Sequence, residues 1–143
     1  MHSNAKNTIL IVDDEPMFIT FLIEIFRKDY VLFTAKDVTT ALKLASAQSP
    51  DLILSDVEMV GETGFDLLSS LQAQEDTKKI PTIFITGRDT AMDEEKGMSL
   101  GAVDYILKTA RPNVIKIRVQ NQIDAINIKR AYLEAVCPSG YSP

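Results

Sequence analysis

Thr8-Ile9-Leu10-Ile11-Val12-Asp13-Asp14-Glu15-Pro16 is a short β-branched apolar run that stops at two carboxylates. The pattern recurs three times. Leu52–Ser55 stops at Asp56, residues 83–85 stop at Thr86-Gly87, and Asp104–Leu107 stops at Lys108. Short, uninterrupted apolar runs suit strands buried on both faces of a parallel sheet. If these runs are neighbours in one sheet, the polar residues that end them converge on one edge. That edge would gather three carboxylates, a lysine ammonium and a hydroxyl. Such a pocket suits a divalent cation and a phosphoryl group.

Strand-like and helix-like segments alternate along the whole chain. Glu15-Pro16 opens a helical pattern to about residue 28, Pro being tolerated where the N–H has no helical partner anyway. Residues 30–34 read as a second strand. Asp37 can cap a helix over 38–47 carried by Ala41, Leu42 and Ala45, and Ser49-Pro50 stops it. Gly61 and Gly64 bracket a loop before a helix over 65–74, and Pro81 precedes a strand over 82–86. A helix over 92–100 ends at Gly101, a left-handed C-cap, and a long helix runs from Pro112 to about Ala135. Five βα repeats predict an α/β fold: a doubly wound five-stranded parallel sheet with helices on both faces. Ligands in such sheets gather beyond the carboxyl ends of the strands.

The chain of 143 residues suits one domain with a real core. The expected division is a disordered tail over 1–7, a domain over 8–132, and a helix end and tail over 133–143, or a linker to an absent output domain. A net charge of −5 argues against direct nucleic-acid or anionic-membrane binding. The first residues hold no signal-peptide core, and no apolar run approaches the roughly 20 residues of a membrane helix, so a cytoplasmic location is expected. Cys137 stands alone, without a Cys/His cluster for zinc.

The residue chemistry points to phosphoryl transfer onto a carboxylate. That reaction needs a nucleophile held in line, charge neutralisation by a metal, and a cation on the transferred group. Asp56 is the candidate nucleophile, with Asp13 and Asp14 across from it on the neighbouring strand. Three close carboxylates repel, so without metal at least one should have a raised pKa. Lys108 supplies a compact positive charge and Thr86 a hydroxyl donor, while Gly87 leaves space above the site. Taken alone, Asp13-Asp14 would read as a helix-start cluster favoured by the dipole.

The segments Ile9-Leu10-Ile11-Val12-Asp13-Asp14-Glu15-Pro16, Asp56-Val57-Glu58-Met59, Phe84-Ile85-Thr86-Gly87 and Gly101-Ala102-Val103-Asp104-Tyr105-Ile106-Leu107-Lys108 together resemble the receiver domain of two-component response regulators. The resemblance covers about residues 8–130 and implies the flavodoxin-like receiver fold, strand order 2-1-3-4-5. It implies that Asp56 accepts phosphate from a sensor histidine kinase or phosphotransfer protein. Asp13, Asp14, Asp56 and the backbone carbonyl of Glu58 would hold Mg2+ (or Mn2+). Lys108 would contact the phosphoryl group, and Thr86 and Tyr105 would form the switch pair. It implies a signalling domain rather than an enzyme, with only self-catalysed phosphorylation and dephosphorylation. Residues 108–122 also resemble receivers placed ahead of cyclic-di-nucleotide enzymes.

Two positions depart from the family pattern: Val60 and Thr109 stand where proline is usual. A cis peptide before a non-proline residue costs roughly 2.5–4 kcal/mol, so Lys108–Thr109 is expected to be trans, with a shift of the Lys108 ammonium or of the last helix start. These departures favour one alternative, a phosphorylation-independent interaction module. A small aspartate-dependent phosphatase is another, though Val60 fits its pattern poorly.

Partner surfaces are sought on two helices. Met17, Phe18, Phe21, Leu22 and Ile25 form a stripe expected to face the sheet, and Ile19, Ile23 and Phe26 extend it around the side. That breadth suits either a wide core contact or a kinase docking patch on the first helix. The last helix carries Ile115, Val119, Ile123 and Ile126 on one face, and Val114, Ile117, Ala125, Ile128 and Tyr132 around Asn121 on another. The second stripe suits homodimerisation or a signalling helix into an output domain, reached through the fourth-helix to last-helix surface. Arg111, Lys116, Arg118, Lys129 and Arg130 are read as ion-pair partners rather than DNA ligands.

Overall fold

The structure is a computed structural model and describes residues 5–136. Five strands, β1 (Thr8–Val12), β2 (Val31–Ala35), β3 (Leu52–Ser55), β4 (Thr82–Thr86) and β5 (Asp104–Leu107), alternate with five helices. These are α1 (Pro16–Phe26), α2 (Val38–Gln48), α3 (Gly64–Gln72), α4 (Ala91–Ser99) and α5 (Pro112–Val136). All strand pairs are parallel, in the order β2-β1-β3-β4-β5. The doubly wound sheet expected from the sequence is therefore present.

Alternation along the strands divides the core into two layers. Ile9, Ile11, Leu52, Leu54, Ile83, Ile85 and Ile106 pack with Ile19, Leu22 and Phe26 of α1 and with Ile115, Val119 and Ile123 of α5. Leu10, Val12 and Ile53 point the other way, against Val38, Ala41 and Ala45 of α2 and Leu67 and Leu71 of α3. Phe84 and Tyr105 continue that layer with Phe65, Leu68 and Ala102.

Local chemistry sets the helix ends. The Asp37 carboxylate accepts from the Thr40 N–H at 2.7 Å, and Ser49 closes α2 in a left-handed conformation with φ 45°. Thr63 and Asp66 form a reciprocal capping box at the start of α3. The Thr90 side chain accepts from the Asp93 N–H to start α4, and Gly101 turns the chain at φ 109° after it.

Three expectations are corrected. β2 begins at Val31, and Tyr30 precedes it, buried, its hydroxyl donating to Gln120 at 2.7 Å. The sheet-facing residues of α1 are Ile19, Leu22 and Phe26, whereas Met17 is 87% exposed. Phe18, Phe21, Ile23 and Ile25 flank that contact, partly buried. A helix apolar nearly all round cannot phase itself; the packing chooses the face. Of the expected tails, residues 1–4 and 137–143, with Cys137, lie outside the described residues. Asn7 is held rather than loose: its side chain donates to Asp51 at 3.2 Å and to Asn127 at 3.0 Å. Among the described residues, no helix is long and apolar enough to cross a membrane.

Candidate functional site

The hydrogen-bond ladder of the sheet runs one residue past three strand ends, and this fixes the backbone of the site. The Asp13 N–H donates to the Ala35 carbonyl at 3.0 Å, the Asp56 N–H to Val12 at 2.9 Å, and the Lys108 N–H to Thr86 at 2.9 Å. Each residue thus leaves the sheet at a set height, with an apolar strand behind it. Asp13, Asp14 and Asp56 each offer a carboxylate oxygen, all within 4.8 Å of one another. Asp13 and Asp56 are buried at 2% and 5% exposure, so they face one another with little water between to screen them.

Lys108 fills the space among them. Its Nζ stands 2.9 Å from Asp13, 3.1 Å from Asp56 and 2.6 Å from Glu15, and 4.6 Å from the centre of the Phe18 ring. An ammonium has three donors, and three carboxylates take them here. Burial works to lower the Lys108 pKa, but the hydrogen bonds to Glu15 and Asp13 and the Asp56 charge outweigh it and raise it. Asp13 is raised as well, first by burial, with hydrogen bonds from Lys108 and the Glu15 N–H opposing and the Asp56 charge adding. The sequence led us to expect a raised carboxylate from mutual repulsion; burial is the larger cause.

The loops close over this centre. The Asp14 carboxylate accepts from the Val60 N–H at 2.9 Å, and Asp56 accepts from the Glu58 N–H at 3.3 Å. Gly64 donates to the Val57 carbonyl at 2.8 Å and lies directly beneath Asp56. No peptide bond among the described residues is cis, so Lys108–Thr109 is trans, and the ammonium still reaches both buried aspartates.

Thr86 and Tyr105 lie at the β4–β5 side. Thr86 is fully buried and its hydroxyl accepts from the Arg88 N–H at 3.2 Å. Tyr105 is buried against Phe84, ring centroids 6.3 Å apart, and donates its hydroxyl to the Arg88 carbonyl at 2.8 Å. Burial, then the Asp93 charge, push its phenol up to about 12. Both side chains thus meet the same loop residue, Arg88.

The sequence reading missed two participants. Glu15 holds Lys108 from the mouth of α1, and its position directly after Asp13-Asp14 was the available signal. Arg88 bridges Glu58 at 3.5 Å and Asp93 at 3.4 Å, and so ties the β3–α3 loop to α4 beside the site. Only its place two residues after Thr86 marks it in the sequence.

The donors suit a hard cation: three carboxylate oxygens, two of them buried, without sulfur or imidazole. Magnesium fits this set, and Asp13, Asp14 and Asp56 are the side chains that would hold it.

The family model for the response regulator receiver domain matches residues 9–120. The chain is 33% identical over 123 residues to a probable cyclic di-GMP phosphodiesterase of Vibrio cholerae, covering 86% of this chain and 28% of that protein. It is 35% identical over 113 residues to the alkaline phosphatase synthesis transcriptional regulatory protein PhoP of Bacillus subtilis, covering 78% of this chain and 46% of that one. Among solved structures, the signal receiver domain of a Syntrophus aciditrophicus signal transduction histidine kinase matches at TM-score 0.75 and 30% identity, over 83% of this chain and 91% of that one. The Vibrio cholerae chemotaxis protein CheY4 matches at TM-score 0.77 and 26% identity, over 82% and 98%. This chain therefore spans well under two thirds of the length of both curated relatives.

Proposed function

The chain belongs to the response regulator receiver domain family, and on that premise we propose that it is a phosphorylation switch with Asp56 as the acceptor. The carrying observation is the buried Asp13–Asp14–Asp56 cluster with Lys108 seated in it. In the proposed reaction an Asp56 carboxylate oxygen attacks the phosphorus of a phosphohistidine. The new bond is P–O, the P–N bond breaks, and the released imidazole nitrogen takes up a proton. Asp13, Asp14 and the Glu58 carbonyl, with Asp56, would hold magnesium, which when bound neutralises phosphoryl charge. Lys108 exchanges its Asp56 contact for a phosphoryl oxygen.

The acyl phosphate adds about −1.5 to −2 charge at the sheet edge. Thr86 would turn its hydroxyl from the Arg88 N–H toward that charge, which loosens the Arg88 carbonyl that Tyr105 holds. Repacking at Tyr105 then alters the α4 to α5 surface, where an output domain or partner reads the state. The α1 residues Phe18 and Phe21, left partly exposed by the core, suit docking of the kinase or its phosphotransfer domain. Glu58 and its bridge to Arg88 stand beside the pocket and would influence water access to the acyl phosphate.

Intact mass after incubation with acetyl phosphate tests this. A single phosphoryl adduct is expected with magnesium, lost without it and absent in Asp56→Asn. An unmodified wild type whose Tyr105 resonances also ignore beryllofluoride would overturn the proposal in favour of a phosphorylation-independent module. Turnover of a generic phosphoester would favour a phosphatase.

A further inference from the structure

A groove of about 680 Å³ runs along the amino ends of β3, β4 and β5, the edge of the sheet opposite to Asp56 and Lys108. One wall is α5, through Gln122, Ala125, Ile126, Lys129, Arg130 and Leu133. Positions three, four, seven, eight and eleven after Gln122 share its face of the helix. The other wall is the α3–β4 connection, with Lys78, Lys79 and Ile80. Leu68, Pro81 and Val103 add to the lining.

Side-chain bonds hold the α5 wall in place. From Asn127 to Val136 every residue is exposed, so apolar burial does not fix these turns. Arg130 instead meets one Asp51 oxygen at 2.6 Å, and the other accepts from the Thr8 N–H at 2.7 Å. Asn7 and Asn127 exchange amide hydrogen bonds at 3.0 and 3.2 Å. The wall is thus tied to the entries of β1 and β3, which gives the groove the pre-formed concave shape of a ligand site.

Charge selects the occupant. Arg130 is taken by Asp51 and Lys78 by Glu75, but Lys79 and Lys129 have no carboxylate partner among the described residues. Asp76 is the one lining acid there without a cation. The half-buried Gln122 amide also makes no hydrogen bond among the described residues. Two uncommitted ammonium groups, one from each wall, create a local positive field on a chain of net charge −5. We infer that the groove binds a small organic anion, its acidic group paired with Lys79 and Lys129. Its apolar body would lie against Ile80, Val103, Ile126 and Leu133, and the volume suits a drug-sized molecule. Such an occupant ties the last turns of α5 to the α3–β4 connection, an input to the domain separate from Asp56.

The site does not depend on phosphorylation of Asp56. Anilinonaphthalene sulfonate, a fluorescent anion with an apolar body, tests it when titrated against the whole chain. Circular dichroism and Asp56 phosphorylation serve as checks on folding. Saturable binding at one site is expected, weakened by salt, with amide shifts centred on Gly101, Val103 and Leu133. Lys79→Glu combined with Lys129→Glu should raise the dissociation constant at least about tenfold. Lys43→Glu, on the exposed side of α2, should leave it unchanged. Ala125→Trp, at an exposed helical position, should fill the groove and abolish binding without a change of charge. Phenylnaphthylamine, the same body without the sulfonate, should bind at least about tenfold more weakly. A folded chain that binds no sulfonate, binding indifferent to either groove variant, or a neutral amine bound equally well would each overturn the inference.

Discussion

Gly64 occupies a position that admits no side chain. A Cβ there would stand 2.1 Å from the Asp56 carbonyl oxygen and 3.0 Å from the Phe84 ring. Both obstacles are held by the sheet, so neither can yield cheaply. Gly64→Ala is expected to destabilise the domain by roughly 1–3 kcal/mol, read as a lower urea midpoint at unchanged slope. It should also slow phosphorylation of Asp56, because relief comes only by moving that residue's backbone. A variant as stable as the parent would show that the loop gives way freely. At this scale Asp13, Asp14, Asp56 and Lys108 were legible because each polar residue ends an apolar run. Glu15 and Arg88 were not, since what defines Glu15 is a lysine 93 positions away and what defines Arg88 is a loop acid opposite it. Solvated side chains of this kind carry no periodic signal.

Among the elements, α3 owes its start to one residue. The Thr63 side chain accepts from the Asp66 N–H at 3.2 Å, and Asp66 accepts the Thr63 N–H at 2.9 Å in return. Thr63→Ala should cost about 1 kcal/mol in thermal unfolding, and Thr63→Ser should retain most of it. The sequence signalled this helix only through bracketing glycines; the cap was there to read and explains why α3 begins at Gly64. For α1 the signal was too broad instead. With eight apolar residues on three turns, the pattern could not say that Ile19, Leu22 and Phe26 would face the sheet and Met17 the solvent. The α5 pattern, interrupted by charge on both sides, did separate its two faces correctly.

For the whole molecule, the clustered carboxylates are expected to couple stability to metal. The folded pKa of Asp13 stands above its unfolded value, so its contribution favours the folded state below the unfolded pKa and is lost as pH rises through the folded one. At neutral pH the charged Asp13 carboxylate therefore carries a cost of its own, opposed by Lys108, whose raised pKa favours the folded state there. Magnesium should raise the melting temperature there, by about 2.7 kcal/mol of linkage at one hundred times its dissociation constant, and less at acid pH. Asp13→Asn should melt higher than the parent without magnesium and lose most of the magnesium-dependent increase. Equal magnesium shifts in parent and variant would remove Asp13 from the metal site.

The sequence by itself determined the sheet, its parallel order, the convergence of Asp13, Asp14, Asp56 and Lys108 at one sheet edge, and the two faces of α5. Apart from the strand order, which came from the family resemblance, these follow from local periodicity and from where apolar runs stop, which the chain carries whatever its surroundings. Only the tertiary structure decided which side of α1 is buried, that a trans Lys108–Thr109 bond still delivers the ammonium to the aspartates, and that Glu15 and Arg88 belong to the site. Those facts depend on contacts between residues distant in the chain, where packing and charge in a shared space choose among arrangements that local chemistry leaves equal.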